Sequence, residues 1–343
     1  MTIIFALITR GLEQVCRDEM AALPNVTIVE IGYRRIRAQC LGSLLPLLTL
    51  RTVDDVFAEV ATWTGVTHTR DTLALLNDYS EHLALQPALE ACRAVREISE
   101  KPSFSVSASF VGKRNYSTDD LKAVVADGIA TAYGWPYVTD DQQAEVNIRL
   151  FIEHETAVVG LRLGQQPLHE RQYKQIERPG SLKPPIAAAM LQMAHVKAGT
   201  HLLDPCCGSG TIIIEAAQMG AMAQGSDLNK EAVKAARSNA KAADIHIRVE
   251  QWDARHVRLP DHSIDRVVSN LPWGRQIAVD DTLAAFYSDV CRELERIITS
   301  EGRVVLLTSA PQLLHFERFS LEQAVEISLF GQRPTIAVFA PTR

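Results

Sequence analysis

The stretch Asp204-Pro205-Cys206-Cys207-Gly208-Ser209-Gly210-Thr211 restricts this chain more than any other part of it. A short segment with strand character, Thr200-His201-Leu202-Leu203, precedes it, and Ile212-Ile213-Ile214-Glu215-Ala216-Ala217 follows with helical spacing. Strand, glycine-rich turn and helix form the opening unit of an open parallel α/β sheet. The unpaired N–H groups and positive dipole end of such a helix face a ligand's polar head. Glycine lets the backbone approach that ligand with no Cβ in the way. A dinucleotide fold wants Gly-x-Gly-x-x-Gly, and the third glycine position here is Ile213, which disfavours NAD.

The carboxylates that follow narrow the ligand. Asp204 closes the first strand, where it can hold a cationic or amino-bearing group. Ala223–Leu228 reads as the second strand, with Asp227 23 residues after Asp204, placed to accept two ribose hydroxyls. Asn229 starts a helix through about Ala243. A third strand, His246–Glu250, runs into Gln251-Trp252-Asp253-Ala254, where Asp253 can accept from an adenine amino group. One such acid reads equally well as a helix cap or a surface turn. Three acids after three successive strands read as the seat of S-adenosylmethionine. Its candidate residues are Asp204, Cys206, Gly208, Ser209, Gly210, Thr211, Asp227, Leu228, Asp253, Ala254 and Asn270.

Strand four, Ile264–Ser269, leads into Asn270-Leu271-Pro272-Trp273-Gly274, of the form (Asn/Asp)-x-Pro-aromatic. An exocyclic amine on a base is a poor nucleophile because its lone pair is delocalised. The Asn270 amide oxygen and the Leu271 carbonyl can each accept one N–H and turn that lone pair toward a methyl donor. Pro272 stiffens the turn, and Trp273 offers a π-face to an extruded base. Asn270, Leu271, Pro272 and Trp273 are the candidate catalytic residues. Beyond them a helix is expected over Phe286–Ile298 and a buried strand over Arg303–Thr308. Leu321–Leu329 and Thr335–Phe339 should close the sheet as an antiparallel pair.

With 343 residues the chain is long enough for two or three domains, and its first half reads differently. Thr2–Ile8 is a strand rather than a signal peptide, since Arg10 breaks the apolar run and no basic start precedes it. Leu12–Leu23 is a helix, Val26–Cys40 a strand pair or long bent strand, Leu41–Arg51 a short helix and Val53–Thr62 a strand. That β-α-β-β-α-β order suits a ferredoxin-like layer. A helix over about Leu83–Glu100 comes next, then the alternating strand Phe104–Phe110. The loop Gly112-Lys113-Arg114-Asn115-Tyr116 leads into an N-cap at Ser117 and a helix through about Tyr133. Strands over Ala144–Glu153 and Thr156–Leu163 finish this part. From spacing alone, Lys113 and Arg114 fit a solvated turn as well as a phosphate-contacting edge.

The net charge of −6 excludes a wholesale basic nucleic-acid binder, so any such site must be local. Arg162–Lys183 holds five basic residues and two acids, and Arg171-Gln172-Tyr173-Lys174 interleaves an aromatic with cations. A solvated connector gives the same pattern. Six scattered cysteines without a C-x-x-C pair argue against a zinc site or a disulfide framework. No apolar window approaches a membrane span.

Phe104–Phe110, Gly112-Lys-Arg-Asn-Tyr-Ser-Thr-Asp-Asp120 and Val158-Val-Gly-Leu-Arg-Leu163 resemble a THUMP domain, an RNA-binding module. Thr9–Glu13 and Glu19-Met20 resemble the ferredoxin-like domain that precedes it. Asp204–Thr211 with Asn270–Gly274 resembles Rossmann-like RNA methyltransferases, in particular the THUMP-containing class that methylates the N2 amine of tRNA guanosine. Cys206 stands where that family often has Phe, and Leu271 where Pro is commoner. The resemblance implies an α/β chain with an N-terminal ferredoxin-like domain (1–64), a THUMP domain (65–165) and a linker (166–180). A doubly wound methyltransferase domain with an antiparallel terminal strand follows (181–343), opened by Ser181-Leu182-Lys183-Pro184-Pro185-Ile186, which corresponds to a segment that in the family closes over the cofactor. It implies a cytoplasmic, monomeric enzyme that takes S-adenosylmethionine and tRNA, with no metal and no membrane contact. Its RNA contacts would be Lys113, Arg114, Tyr116, Arg171, Tyr173, Lys174, Lys183 and Arg275, with Arg333 a further candidate. Asn270 in place of Asp favours position 6 of the acceptor stem over position 10. A ribosomal-RNA guanine methyltransferase, a DNA adenine methyltransferase and a non-catalytic RNA-binding protein remain open as alternatives.

Overall fold

The computed structural model describes residues 1–274, 282–329 and 331–342. Two compact units arise: Met1–Ile8 with Arg17–Leu168, and Thr9–Cys16 with His169–Arg343.

The first half of the chain contains β1 (Thr2–Leu7), α1 (Glu13–Ala21), β2 (Val26–Gly32), β3 (Arg35–Cys40), β4 (Asp55–Thr64), α2 (Thr72–Glu81), α3 (Gln86–Arg93), β5 (Phe104–Phe110), α4 (Thr118–Tyr133), β6 (Val146–Glu153) and β7 (Thr156–Arg162). Its strands make one sheet in the order β2-β3-β1-β4-β7-β6-β5. β4 and β7 pair antiparallel, so the expected ferredoxin-like and THUMP segments share a continuous sheet. Helix α4 starts where the sequence places it. Ser117 Oγ accepts from Asp120 N–H while Asp120 accepts from Ser117 N–H, a capping box, and Gly134 ends the helix in the left-handed region at φ +63°.

Two helices differ from expectation. The helix expected over 83–100 is the shorter α3, Gln86–Arg93, and a separate helix, α2, precedes it at Thr72–Glu81. Pro87, at the start of α3, lacks an N–H to bond backwards and fixes a helix start. Leu41–Arg51 holds a single 3-10 turn, Leu45–Thr49, opened by Pro46. The bent segment 26–40 is a hairpin, turned at Tyr33-Arg34 with Arg34 at φ +57°.

The second half contains α5 (Pro184–Met193), β8 (His201–Asp204), α6 (Thr211–Gln218), β9 (Met222–Ser226), α7 (Lys230–Ala242), β10 (Arg248–Glu250), β11 (Ile264–Asn270), α8 (Leu283–Ile297), β12 (Ile298–Thr308), β13 (Phe319–Glu326) and β14 (Thr335–Pro341). The sheet order is β10-β9-β8-β11-β12-β14-β13. Strands β10 to β12 in this order run parallel, and β14 alone is reversed, pairing antiparallel with both β12 and β13. The order reverses between β8 and β11, which places the ligand crevice outside their carboxyl ends. Helix α6 packs on the sheet so closely that a Cβ on Gly225 would lie 2.7 Å from Ile213 Cδ1 and 2.9 Å from Cys207 Cβ. No described helix is long and apolar enough to cross a membrane.

Candidate functional site

A cavity of about 510 Å³ opens at the carboxyl ends of β8, β9, β10 and β11. Asp204, Cys206, Gly208, Ser209, Thr211, Asp227, Leu228, Asp253, Ala254 and Asn270 all border it, so ten of the eleven expected cofactor residues come together. Gly210 does not. It caps α6 in the left-handed region at φ +86°, and a Cβ there would sit 3.0 Å from Ala236 Cβ, so its role is helix packing.

The three acids differ in state. Asp204 is 2 % exposed; its Oδ1 accepts from Ser269 Oγ at 2.6 Å and Cys206 N–H at 3.1 Å. Burial outweighs those bonds and pushes its carboxyl up to about 7. Asp227 bridges the loops: Oδ2 accepts from Gly208 N–H and Oδ1 from Asn229 N–H, both at 2.9 Å, and burial raises its pKa despite these bonds. Asp253 is held in a fork by Arg255, whose hydrogen bonds keep its carboxyl below the usual range. An adenine contact there must therefore share Asp253 with Arg255, which the spacing did not show.

The Asp204 state makes a prediction with a definite sign. A carboxyl whose folded pKa is raised stabilises the fold fully below its unfolded pKa, and this contribution is lost as pH rises through the folded value. Between about pH 4 and pH 7 the ligand-free protein should lose stability through this group. Melting midpoints from pH 5 to 8 should fall for the wild type by about 4 °C more than for Asp204→Asn. Parallel profiles for the two proteins would refute it.

Asn270 lies at the end of β11. Its Nδ2 donates to Gly180 O at 3.2 Å, while its Oδ1 is buried with no partner among the described residues. An acceptor left unpaired away from water is costly, and a donor arriving in the cavity removes that cost. The Leu271 side chain belongs to the core, which leaves only its backbone for a chemical role. Pro272 borders the cavity, and its carbonyl accepts from Tyr287 Oη at 2.9 Å. Trp273 is 9 % exposed and is not among the described residues that border the cavity. The aromatic that does line the wall is Phe286, with the Arg255 guanidinium 5.9 Å from its centroid.

Several of the expected RNA contacts make hydrogen bonds within the chain. The Arg114 guanidinium donates to the carbonyls of Val66, Thr67 and His154, and Tyr116, 4 % exposed, donates its hydroxyl to Thr67 O. Arg171 and Tyr173 both reach Glu215 Oε1, at 3.2 and 2.8 Å, and Glu215 is 0 % exposed. Lys174 donates to Leu182 O and pairs with Glu177. A carbonyl cluster and a buried carboxylate attract cations and hydroxyls as strongly as a phosphate does, which is why the pattern was ambiguous. Lys113 is exposed, and Lys183 is half-buried at the start of α5. Arg333 lies 3.6 Å from Glu326 in an exposed pair. Arg275 lies outside the described residues.

A further wall of the cavity is Arg178-Pro179-Gly180-Ser181-Leu182; Ser181 and Leu182 belong to the segment expected to close over the cofactor, whereas Arg178, Pro179 and Gly180 were not expected at the site. Ser181 Oγ meets Ser209 Oγ at 2.7 Å. Asn239, fully buried in α7, bonds both Ile176 N–H and Ile176 O and donates to Ser209 O. Only the Pro-Gly step signalled a turn here.

Comparison with known proteins agrees with this geometry. Residues 171–327 match the family described as UPF0020: RMKL-like, methyltransferase domain. The tRNA (guanine(6)-N2)-methyltransferase of Thermus thermophilus is 33% identical over 249 residues, covering 71% of this chain and 73% of that one. The human U6 snRNA (guanine-N(2))-methyltransferase THUMPD2 is 30% identical over 203 residues, 58% of this chain and 38% of its own length. The crystal structure of TrmN from Thermus thermophilus superposes with a TM-score of 0.80 at 28% identity, covering 100% of both chains.

Proposed function

Because this chain belongs to the guanine-N2-methyltransferase family that includes the Thermus thermophilus tRNA enzyme, we propose that it methylates the exocyclic N2 of a guanosine in tRNA, at position 6 of the acceptor stem. The observation that carries the chemistry is Asn270 at the border of the cavity, with its Oδ1 buried and without a partner among the described residues. It suits an N–H donor such as an exocyclic amine.

The residues of the cavity also fit S-adenosylmethionine. Asp204, whose carboxyl burial raises to about 7, ionises fully against the ammonium of an amino acid. Gly208, at φ +53° with open space where a Cβ would stand, lets the loop lie against it. Asp227 keeps lone pairs beyond its two backbone bonds for ribose hydroxyls. Leu228, Ala254 and Phe286 supply apolar walls for a purine. When bound, this cofactor supplies an electrophilic methyl group.

Asn270 then acts by position. Its Oδ1 accepts one amine N–H and the Leu271 carbonyl a second, so the nitrogen lone pair points along the transfer line. Tyr287 fixes the Pro272 carbonyl, and through it the turn that holds both acceptors. The amine becomes acidic once alkylated and sheds its proton to water, so no strong general base is required.

Labelled cofactor and purified tRNA provide the test. Label should enter N2-methylguanosine in tRNA and disappear when G6 is replaced. Label in adenosine or in protein rejects the reading, and equal labelling without G6 rejects the position. A U6 hairpin in parallel decides between tRNA and the snRNA on which the THUMPD2 relatives act.

A further inference from the structure

Gly180 belongs to no family motif considered above, yet among the described residues it makes the one hydrogen bond of the Asn270 amide. Residues Arg178-Pro179-Gly180-Ser181 form a tight turn. Ser181 N–H donates to Arg178 O at 2.9 Å, Pro179 takes the second position, and Gly180 takes the third at φ +81°. These are the marks of a type II turn, which demands positive φ at its third residue. The turn is fastened on both sides: Arg178 N–H donates to Ser181 Oγ, and Ser181 Oγ meets Ser209 Oγ in the glycine-rich loop. Upstream, Asn239 grips Ile176 and the carbonyl of Ser209 together.

An amide has two unlike ends, and its partners decide which way it faces. A carbonyl oxygen can only accept, so Gly180 O selects the NH2 end of Asn270. The oxygen end, on a residue that borders the cavity, is thereby left buried without a partner among the described residues. Reversing the amide would set two oxygens against each other at Gly180 and present donors to a donor in the cavity.

We propose that Gly180 is a positioning residue for methyl transfer: the type II turn holds its carbonyl where it fixes the Asn270 amide with Oδ1 toward the target amine. This rests on the function proposed above. Because Ser181 and Asn239 tie the turn to the Ser209 loop, the methyl-donor seat and the amine acceptor are held by one connected piece of backbone.

Gly180→Ala tests it, because an L residue with a Cβ resists φ +81° and drives the turn toward type I. Gly180→Asn is the conservative partner, since Asn tolerates the left-handed region. Two readouts are needed on folded protein, as checked by circular dichroism and melting. One is the single-turnover rate at saturating tRNA and cofactor. The other is the side-chain 15N–1H2 resonance pair of Asn270 in cofactor-free protein, assigned by its absence in Asn270→Asp. Gly180→Ala should slow transfer about tenfold, with tRNA Kd within about twofold, and should shift the Asn270 pair and speed its exchange with water. Gly180→Asn should recover most of both. An unmoved resonance pair in Gly180→Ala overturns the proposal, whether or not the rate falls, because the loss would then come from crowding of the cavity. An unchanged rate overturns it as well. If the wild type fails to methylate guanosine N2, the functional reading fails instead, while the resonance still reports on the turn and the amide.

Discussion

Asn270→Ala should lower the rate of methyl transfer at least ~100-fold while leaving tRNA affinity within about twofold. The size follows from what the side chain does. A fixed acceptor that holds a nucleophile in line acts only as the transition state forms, and removing one such preorganised group costs about 10²–10³ in rate. Alanine removes both ends of the amide, so Oδ1 no longer receives the amine and Gly180 O loses its donor. In the function proposed, the amide meets only the reacting amine, so RNA affinity has little reason to change. A fall in kcat/KM carried by kcat, with KM nearly constant, is the expected signature. Turnover within threefold of wild type would reject the role given to Asn270.

Glu215→Leu should be the most destabilising of the single changes considered. Glu215 sits in helix α6, fully buried, and receives hydrogen bonds from Arg171 Nε and Tyr173 Oη. Leucine leaves the Arg171 guanidinium, 15% exposed, without its carboxylate. Breaking one side of such a pair costs about 3–5 kcal/mol, because the surviving charge stays out of water. For a unit of this size the melting midpoint should fall by roughly 6–15 °C. The informative companion is Glu215→Leu with Arg171→Met and Tyr173→Phe. Apolar groups of similar volume often replace a buried ion pair at little cost, so the triple variant should regain most of the loss. A single variant that melts within 2 °C of wild type would show the pair to be unimportant. A triple variant no better than the single would show that packing, not the stranded charge, sets the cost.

The same node shows why parts of the site were hidden in the sequence. Arg171-Gln172-Tyr173-Lys174 has the look of a nucleic-acid surface, but its partner Glu215 lies more than forty residues away, inside an apolar helical run. Nothing local distinguishes a cation that meets a buried carboxylate from one that meets a phosphate. Tyr287, which holds the Pro272 carbonyl, and Asn239, which grips the linker, were invisible for the same reason. Their meaning depends on contacts that only the folded chain makes. Local chemistry was legible throughout. The Ser117–Asp120 capping box, the Asn229 cap accepting from Glu231 and Ala232 N–H, and the acid-bearing ends of β8, β9 and β10 all depend on neighbours a few residues apart.

The close approach at Gly225 constrains how this chain can diverge. The room a methyl group would need at 225 is already taken by Cys207 and Ile213. The two strand ends therefore do not drift independently: a larger side chain at 225 is admissible only beside smaller ones at 207 or 213. Among descendants of this sequence, and in designed libraries built on it, these positions should vary as one linked character. A library that randomises Cys207 while holding Gly225 should accept many small residues, whereas the reverse library should return almost only glycine.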